Sequence, residues 1–160
     1  MQVDDVLASD LDEVLALNEA SVPHVNSLTP GELKWFQAHA SYFRLVRHDG
    51  RIAGFMIGLG PGLDYRSPNY RFFCARHEMF GYVDRVAVAT DARRLGVASR
   101  LYEDYAATLR GFAPVLTCEV NLRPPNEGSI AYHERHGFKR VGTQETEGGS
   151  KEVVMMEKRL

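Results

Sequence analysis

The sequence predicts an α/β fold, and three stretches carry that expectation. Residues Tyr82 to Arg110 read as a strand, a tight loop and a helix. Tyr42 to Leu59 alternates about Asp49-Gly50, the pattern of a β-hairpin with a tight turn. Val115 to Asn121 then gives a strand after the helix, so the strand-helix-strand unit is expected to be a right-handed crossover with its two strands parallel.

The first stretch organises the rest. Val83, Val86 and Val88 with the small Ala87 and Ala89 are too densely apolar for a strand with one face in water, which makes this strand central. Val97, Leu101, Tyr105 and Leu109 recur at helical spacing, while Arg100, Glu103, Asp104 and Arg110 fall largely elsewhere on the wheel. Between strand and helix, Arg93-Arg94-Leu95-Gly96-Val97-Ala98 places a glycine and small residues where the helix begins. The unpaired N–H groups of a first helical turn and the positive end of its dipole attract an anion, and small side chains let a phosphate reach the backbone. No Lys-Ser/Thr follows the glycine and only one glycine is present, which disfavours a Walker-type loop and a dinucleotide fingerprint. An ordinary strand-to-helix turn, with Gly96 aiding close packing, remains the alternative.

The other elements follow in order. Gln2 to Leu7 reads as a short strand. Ser9 or Asp10 caps a helix carrying Leu11, Val14, Leu15 and Asn18, with Glu13 as the capping-box partner of Asp10 and Pro23 as its stop. Thr29-Pro30-Gly31-Glu32 starts a second helix with a capping hydroxyl, a first-turn proline and a capping glutamate. Gly60 to Gly81 reads as a long aromatic connection, a candidate binding wall or lid. Pro124 and Pro125 break the strand before them, because proline lacks the N–H a ladder needs. Ser129 to His136 is a short helix, Gly137-Phe138 opens a strand to about Thr146, and Glu152 to Lys158 closes the chain as an antiparallel strand.

The 160 residues suit a single domain spanning 1–160, and 44% apolar with 25% charged residues is ordinary for a globular protein. A formal net charge of -2 argues against non-specific binding to nucleic acid or to an anionic membrane. No apolar run approaches the roughly 20 residues of a membrane span, and the N-terminus lacks a secretory pattern, so the expected location is cytoplasmic. Cys74 and Cys118 are far apart and lack a metal spacing, which predicts reduced thiols. His133 and His136 lie three apart on a helix, but no third ligand accompanies them and no metal is expected.

Arg-x-x-Gly-x-Ala after a valine-rich strand resembles motif A of the GCN5-related N-acetyltransferases, whose loop binds the pyrophosphate of acetyl-CoA. A second segment fits in the correct order: Asn126 followed by a helix ending in Gly137-Phe138 resembles the later segment of that superfamily. The resemblance is strong from about Tyr82 to Val141; before that it lies in the order of elements. It implies a mixed twisted sheet of about six to seven strands flanked by about four helices, with acetyl-CoA wedged where two parallel strands splay. It implies that Val86, Ala87 and Val88 bond the pantetheine arm, that Arg93, Arg94, Leu95, Gly96, Val97, Ala98 and Ser99 surround the pyrophosphate, and that Asn126 holds the arm from the other side. Asn18 and Glu19 end the first helix where the superfamily often places substrate contacts; Tyr65 and Tyr82 join them on the substrate side.

Acetyl transfer to an amine requires a proton acceptor, because an aliphatic ammonium has a pKa near ~10.4. Asp84 is the first candidate base and Glu119 the second, against a structural role for either beside Arg85, Arg123 or a backbone donor. Many members of the superfamily carry an acid tyrosine four residues before the Gly of Gly-Phe; here that position is His133. Tyr132 is adjacent but turned by ~100° about the helix axis, so both cannot face one sulfur. The expectation is His133 as the donor and Tyr132 as packing. The expected activity is acetyl-CoA-dependent N-acetyl transfer to a primary amine of a small molecule or to a protein or peptide terminus. The alternatives are a non-catalytic acyl-CoA-binding sensor and a nucleotide-phosphate-binding fold. The C-terminal strands offer pairing across a homodimer.

Overall fold

The computed structural model describes every residue from Met1 to Leu160. The element order is β1 (Val3–Asp5), α1 (Leu11–Ala20), α2 (Pro30–His39), β2 (Tyr42–His48), β3 (Arg51–Leu59), α3 (Pro68–Arg76), β4 (Gly81–Val88), α4 (Val97–Leu109), β5 (Val115–Arg123), α5 (Glu127–Arg135), β6 (Lys139–Thr146) and β7 (Lys151–Arg159). The seven strands form one mixed sheet in the order β1-β2-β3-β4-β5-β7-β6. By contacts the chain divides into two compact units, Met1–Leu59 with Asp84–Thr108, and Gly60–Val83 with Leu109–Leu160.

In the first unit, β2 and β3 form the expected hairpin, paired from Tyr42 with Gly58 to His48 with Arg51. Its turn places Asp49 and Gly50 at φ 52° and 76°, left-handed values that Asp and Gly tolerate best. α2 has the predicted capping box, Glu32 N–H donating to Thr29 Oγ1 (3.1 Å) and Thr29 N–H to Glu32 Oε1 (2.9 Å). α1 departs from expectation, because Glu13 does not close a box with Asp10. Its carboxylate accepts instead from the Ile52 N–H at 2.7 Å and so ties the helix to β3.

α4 buries Val97, Leu101, Tyr102, Tyr105 and Ala106. It crosses β3 at two glycines: a Cβ on Gly54 would lie 2.6 Å from Val97 Cγ1, and one on Gly58 2.3 Å from the Tyr105 ring. Four strand residues span roughly 13 Å. Eight helical residues span roughly 12 Å. The two glycines therefore match the two ends of one helical stripe, and their lack of side chains lets α4 sit directly on the strand.

In the second unit, β4 and β5 are parallel, with Gly81 opposite Leu116 and Tyr82 opposite Thr117, as the crossover rule requires. β7 pairs antiparallel with β5 on one side and β6 on the other. β5 continues two residues beyond the expected Asn121 and stops at Arg123, directly before the two prolines. α5 begins at Glu127, two residues earlier than expected, because Asn126 caps it.

The segment from Gly60 to Gly81 is where the reading as a connection falls short. It contains α3, whose start repeats the signal recognised at Thr29-Pro30: Ser67 accepts from the Tyr70 N–H, and Pro68 opens the helix. Tyr70 and Phe73, three apart, form its buried face. The loop before α3 is closed on itself, since the Tyr70 hydroxyl donates to Gly60 O (2.7 Å) and accepts from Leu63 N–H (3.0 Å). No helix of the chain is long and apolar enough to cross a membrane.

Candidate active site

The loop assigned to the cofactor lies in the first unit, between β4 and α4. Val86 and Val88 are half-buried and alternate with buried Arg85 and Ala87. A single turn at Thr90–Ala92 follows, and Arg93 to Gly96 are exposed. Gly96 has φ 80° with nothing within 4 Å of the place a Cβ would occupy. The first intrahelical bond runs from Arg100 N–H to Gly96 O (3.0 Å). Helix geometry leaves the N–H groups just before it without intrahelical acceptors. The surroundings suit a diphosphate: an open glycine at a helix start, donors along the backbone, and Arg93 and Arg94 at the mouth.

Three residues assigned to substrate or catalysis meet elsewhere in this unit. Asn18 is fully buried; its amide donates to Asn26 O (3.1 Å) and Glu19 Oε2 (2.8 Å), and its oxygen accepts from Arg85 Nη1 (3.0 Å). Arg85 also donates to Asn26 O (2.8 Å) and, through Nε, to Asp84 Oδ2 (2.9 Å). The side chains of Arg85 and Asp84 are only 7% and 4% exposed. Glu19 accepts from the Ser27 hydroxyl and the Leu28 N–H, and these bonds hold its carboxyl below the usual range. Asn18, Glu19, Asp84 and Arg85, the partner weighed for Asp84 from the sequence, thus form one network that pins residues 26–28 beside α1. Asp84 is the counterion of a buried guanidinium, the structural role weighed against its use as a base.

The second unit brings together Tyr82 and Glu119. The Tyr82 hydroxyl lies 2.8 and 2.9 Å from the two carboxylate oxygens of Glu119 and donates to them. Two residues missed by sequence reading complete the group: Asn69 Nδ2 donates to Glu119 Oε1 (3.2 Å), and Gln144 Nε2 donates to Asn69 Oδ1 (3.0 Å). Asn69 sits in the first turn of α3, so the Ser67-Pro68 start was the signal that could have found it; nothing in the sequence marks Gln144. Tyr65 packs edge-on to Tyr70 with ring centres 5.6 Å apart, and Tyr70 in turn packs on Tyr82 at 5.7 Å.

On α5, Asn126 Oδ1 accepts from the Ser129 N–H (3.3 Å), so its oxygen caps the helix. His133 is buried, and its Nδ1 lies 2.7 Å from Ser129 O. A carbonyl only accepts, so Nδ1 carries a proton and in the neutral ring Nε2 carries the lone pair. Burial lowers the His133 pKa below its ordinary value, outweighing the opposing bond to Ser129. His133 therefore donates from Nε2 only as an imidazolium, a form its surroundings disfavour. Tyr132 is half-buried and stacks on His136, with ring centres 4.2 Å apart. No group of three or more His, Cys, Asp or Glu side chains converges as a metal site.

No curated protein matches the chain significantly. Among solved structures, the ribosomal-protein-S18-alanine N-acetyltransferase from Escherichia coli is 17% identical with a TM-score of 0.74, covering 99% of this chain and 92% of its own. Ard1 from Thermoplasma volcanium is 16% identical with a TM-score of 0.77, covering 99% and 97%. Naa20 from Chaetomium thermophilum, in complex with a bisubstrate analogue, is 21% identical with a TM-score of 0.76, covering 100% and 87%. These likenesses concern the fold. Residues 11–138 match the acetyltransferase (GNAT) family, and with the β4-loop-α4 unit and the α5 segment both inside that span, the chain belongs to this family.

Proposed function

We propose that the protein transfers an acetyl group from acetyl-CoA to a primary amine, either of a small molecule or of a peptide amino terminus. The open first turn of α4 above Gly96 carries the reading, because it offers backbone donors to the diphosphate of this cosubstrate where a side chain would otherwise intrude. The name of one similar structure, a ribosomal-protein-S18-alanine N-acetyltransferase, supports a protein or peptide acceptor.

In the reaction, the amine nitrogen attacks the thioester carbonyl, the carbon–sulfur bond breaks, and the amine proton passes to a base. Glu119 is our candidate for that base, directly or through a water, with Tyr82 holding its carboxylate. The departing thiolate belongs to a thiol with a pKa near ~8.5, so protonation helps without being obligatory. His133 is our candidate for that proton, given from the minor imidazolium form that its burial leaves, and Tyr132 stacks on His136.

The test is thiol release from acetyl-CoA with a panel of amino acids, polyamines and free-terminus peptides. We expect turnover with at least one acceptor, lowered by about 10²- to 10⁴-fold in Glu119→Gln, the range for loss of a general base. Absence of both turnover and coenzyme A binding would refute the proposal; binding without turnover across the panel would favour the sensor.

A further inference from the structure

We propose that Asn69, oriented by Gln144, is a positioning residue that holds the Glu119 carboxylate as an aimed anion, which rests on the reading of Glu119 as the base. Gln144 Nε2 donates to Asn69 Oδ1, which commits that oxygen and turns the Asn69 NH₂ toward Glu119. A flipped Asn69 amide would set its oxygen against the carboxylate and its nitrogen against Gln144 Nε2, so the two neighbours together select the orientation. The Tyr82 hydroxyl supplies a second donor to the same carboxylate. Donors converging on a carboxylate favour its charged form and fix which lone pairs remain for an incoming proton. The relay joins α3, β5 and β6 across 50 and 75 residues of sequence.

Titratable and charged groups also stand on the elements around Glu119. Cys118 beside it is buried, which raises its thiol pKa and keeps it neutral. Met155 is its partner on β7. The arginines of α3 are engaged elsewhere, Arg71 with Tyr65 O and Arg76 with Glu157. On β6, Glu145 lies toward Arg123, and on α5, burial disfavours the charged form of His133. A plain brace between α3 and the sheet would make the same contacts without setting the state of the carboxylate.

The experiment is a pH titration of the Glu119 carboxyl carbon by NMR, in the full chain labelled with ¹³C-glutamate. The resonance is assigned by its disappearance in Glu119→Gln. Asn69→Leu removes the donor. Gln144→Glu, nearly isosteric, draws the Asn69 NH₂ to itself and turns the carbonyl oxygen toward Glu119. Each is expected to raise the Glu119 midpoint by about one pH unit, a tenfold change in its ionisation constant. Thr143→Glu adds the same charge one residue along β6 and is expected to leave the midpoint within about 0.2 unit. Midpoints unmoved in Asn69→Leu or in Gln144→Glu, or moved equally in Thr143→Glu, overturn the relay; Asn69→Ala, which removes the donor without adding a charge, decides if Asn69→Leu fails to fold. Turnover retained by Glu119→Gln would instead sink the base assignment, a failure read in a separate assay.

Discussion

Gly58→Ala tests whether α4 is seated on bare backbone. The new Cβ would lie 2.3, 2.4 and 2.6 Å from Cε2, Cζ and Oη of Tyr105. Ordinary carbon contacts are ~3.5–4.0 Å, so the ring must retreat by more than ~1 Å. Tyr105 is 1% exposed and stacked on Tyr42 with ring centres 4.4 Å apart, so retreat disturbs neighbours as well. Overpacking of this kind costs about 1–3 kcal/mol. Against it stands a gain of about 0.4–1 kcal/mol from stiffening the unfolded chain. The clash wins, and a net loss of about 1–2 kcal/mol lowers the melting temperature by about 2–8 °C in a chain of this size. The assay is thermal unfolding of Gly58→Ala, Tyr105→Leu and the double variant. The smaller leucine side chain introduced by Tyr105→Leu is expected to absorb much of the loss, giving a coupling of at least about 1 kcal/mol. A melting temperature unchanged in Gly58→Ala, or strictly additive effects in the double variant, would refute close seating of the helix.

Gly96→Val forces a β-branched side chain into φ 80° at the mouth of the cofactor loop, so the KM for acetyl-CoA should rise well above its wild-type value while the fold persists; an unchanged KM removes the cradle. His133, with its folded pKa below the unfolded ~6.5, takes up protons more readily when unfolded, so its stability contribution is present above pH ~6.5 and lost as pH falls through the lowered value. In His133→Gln, denaturant midpoints measured below pH ~6.5 should therefore fall less steeply than in the parent, and parallel curves would contradict burial of a neutral ring. His133→Ala should slow single-turnover acetyl transfer more than Tyr132→Phe does; the reverse order would exchange their roles.

The elements legible in the sequence are those written in short-range code. The capping box at Thr29 and Glu32, the Asp49-Gly50 turn, the stop at Pro124 and the loop around Gly96 each depend on a few consecutive residues whose backbone preferences agree. α3 was written in the same code, at Ser67-Pro68, but a segment crowded with aromatics and interrupted by Pro and Asn reads as a connection until Tyr70 and Phe73 are seen to share one buried face. The seats of α4 at Gly54 and Gly58 were hidden because a glycine inside a strand does not say which helix it admits. The side-chain networks were least legible. Arg85 meets Asn18 across 67 residues and Gln144 meets Asn69 across 75, distances over which no local pattern specifies a partner.

The two networks set different expectations for the two strand carboxylates that sequence chemistry left in competition. Asp84 neutralises Arg85 in a site where both side chains are almost fully buried. Placing a proton on Asp84 would leave the guanidinium without its counterion, and breaking such a pair costs about 3–5 kcal/mol. Glu119 accepts from a tyrosine hydroxyl and an asparagine amide, both neutral, so a proton gained there leaves these two partners without an unbalanced charge. Asp84→Asn and Glu119→Gln should therefore fail differently. Asp84→Asn should lower the melting temperature and free residues 26–28 from Arg85, with turnover lost only in proportion to folded protein. Glu119→Gln should keep its melting temperature and lose turnover by about 10²-fold or more. If Asp84→Asn proves inactive but as stable as the parent, the proton travels through β4 and the assignment to Glu119 is wrong.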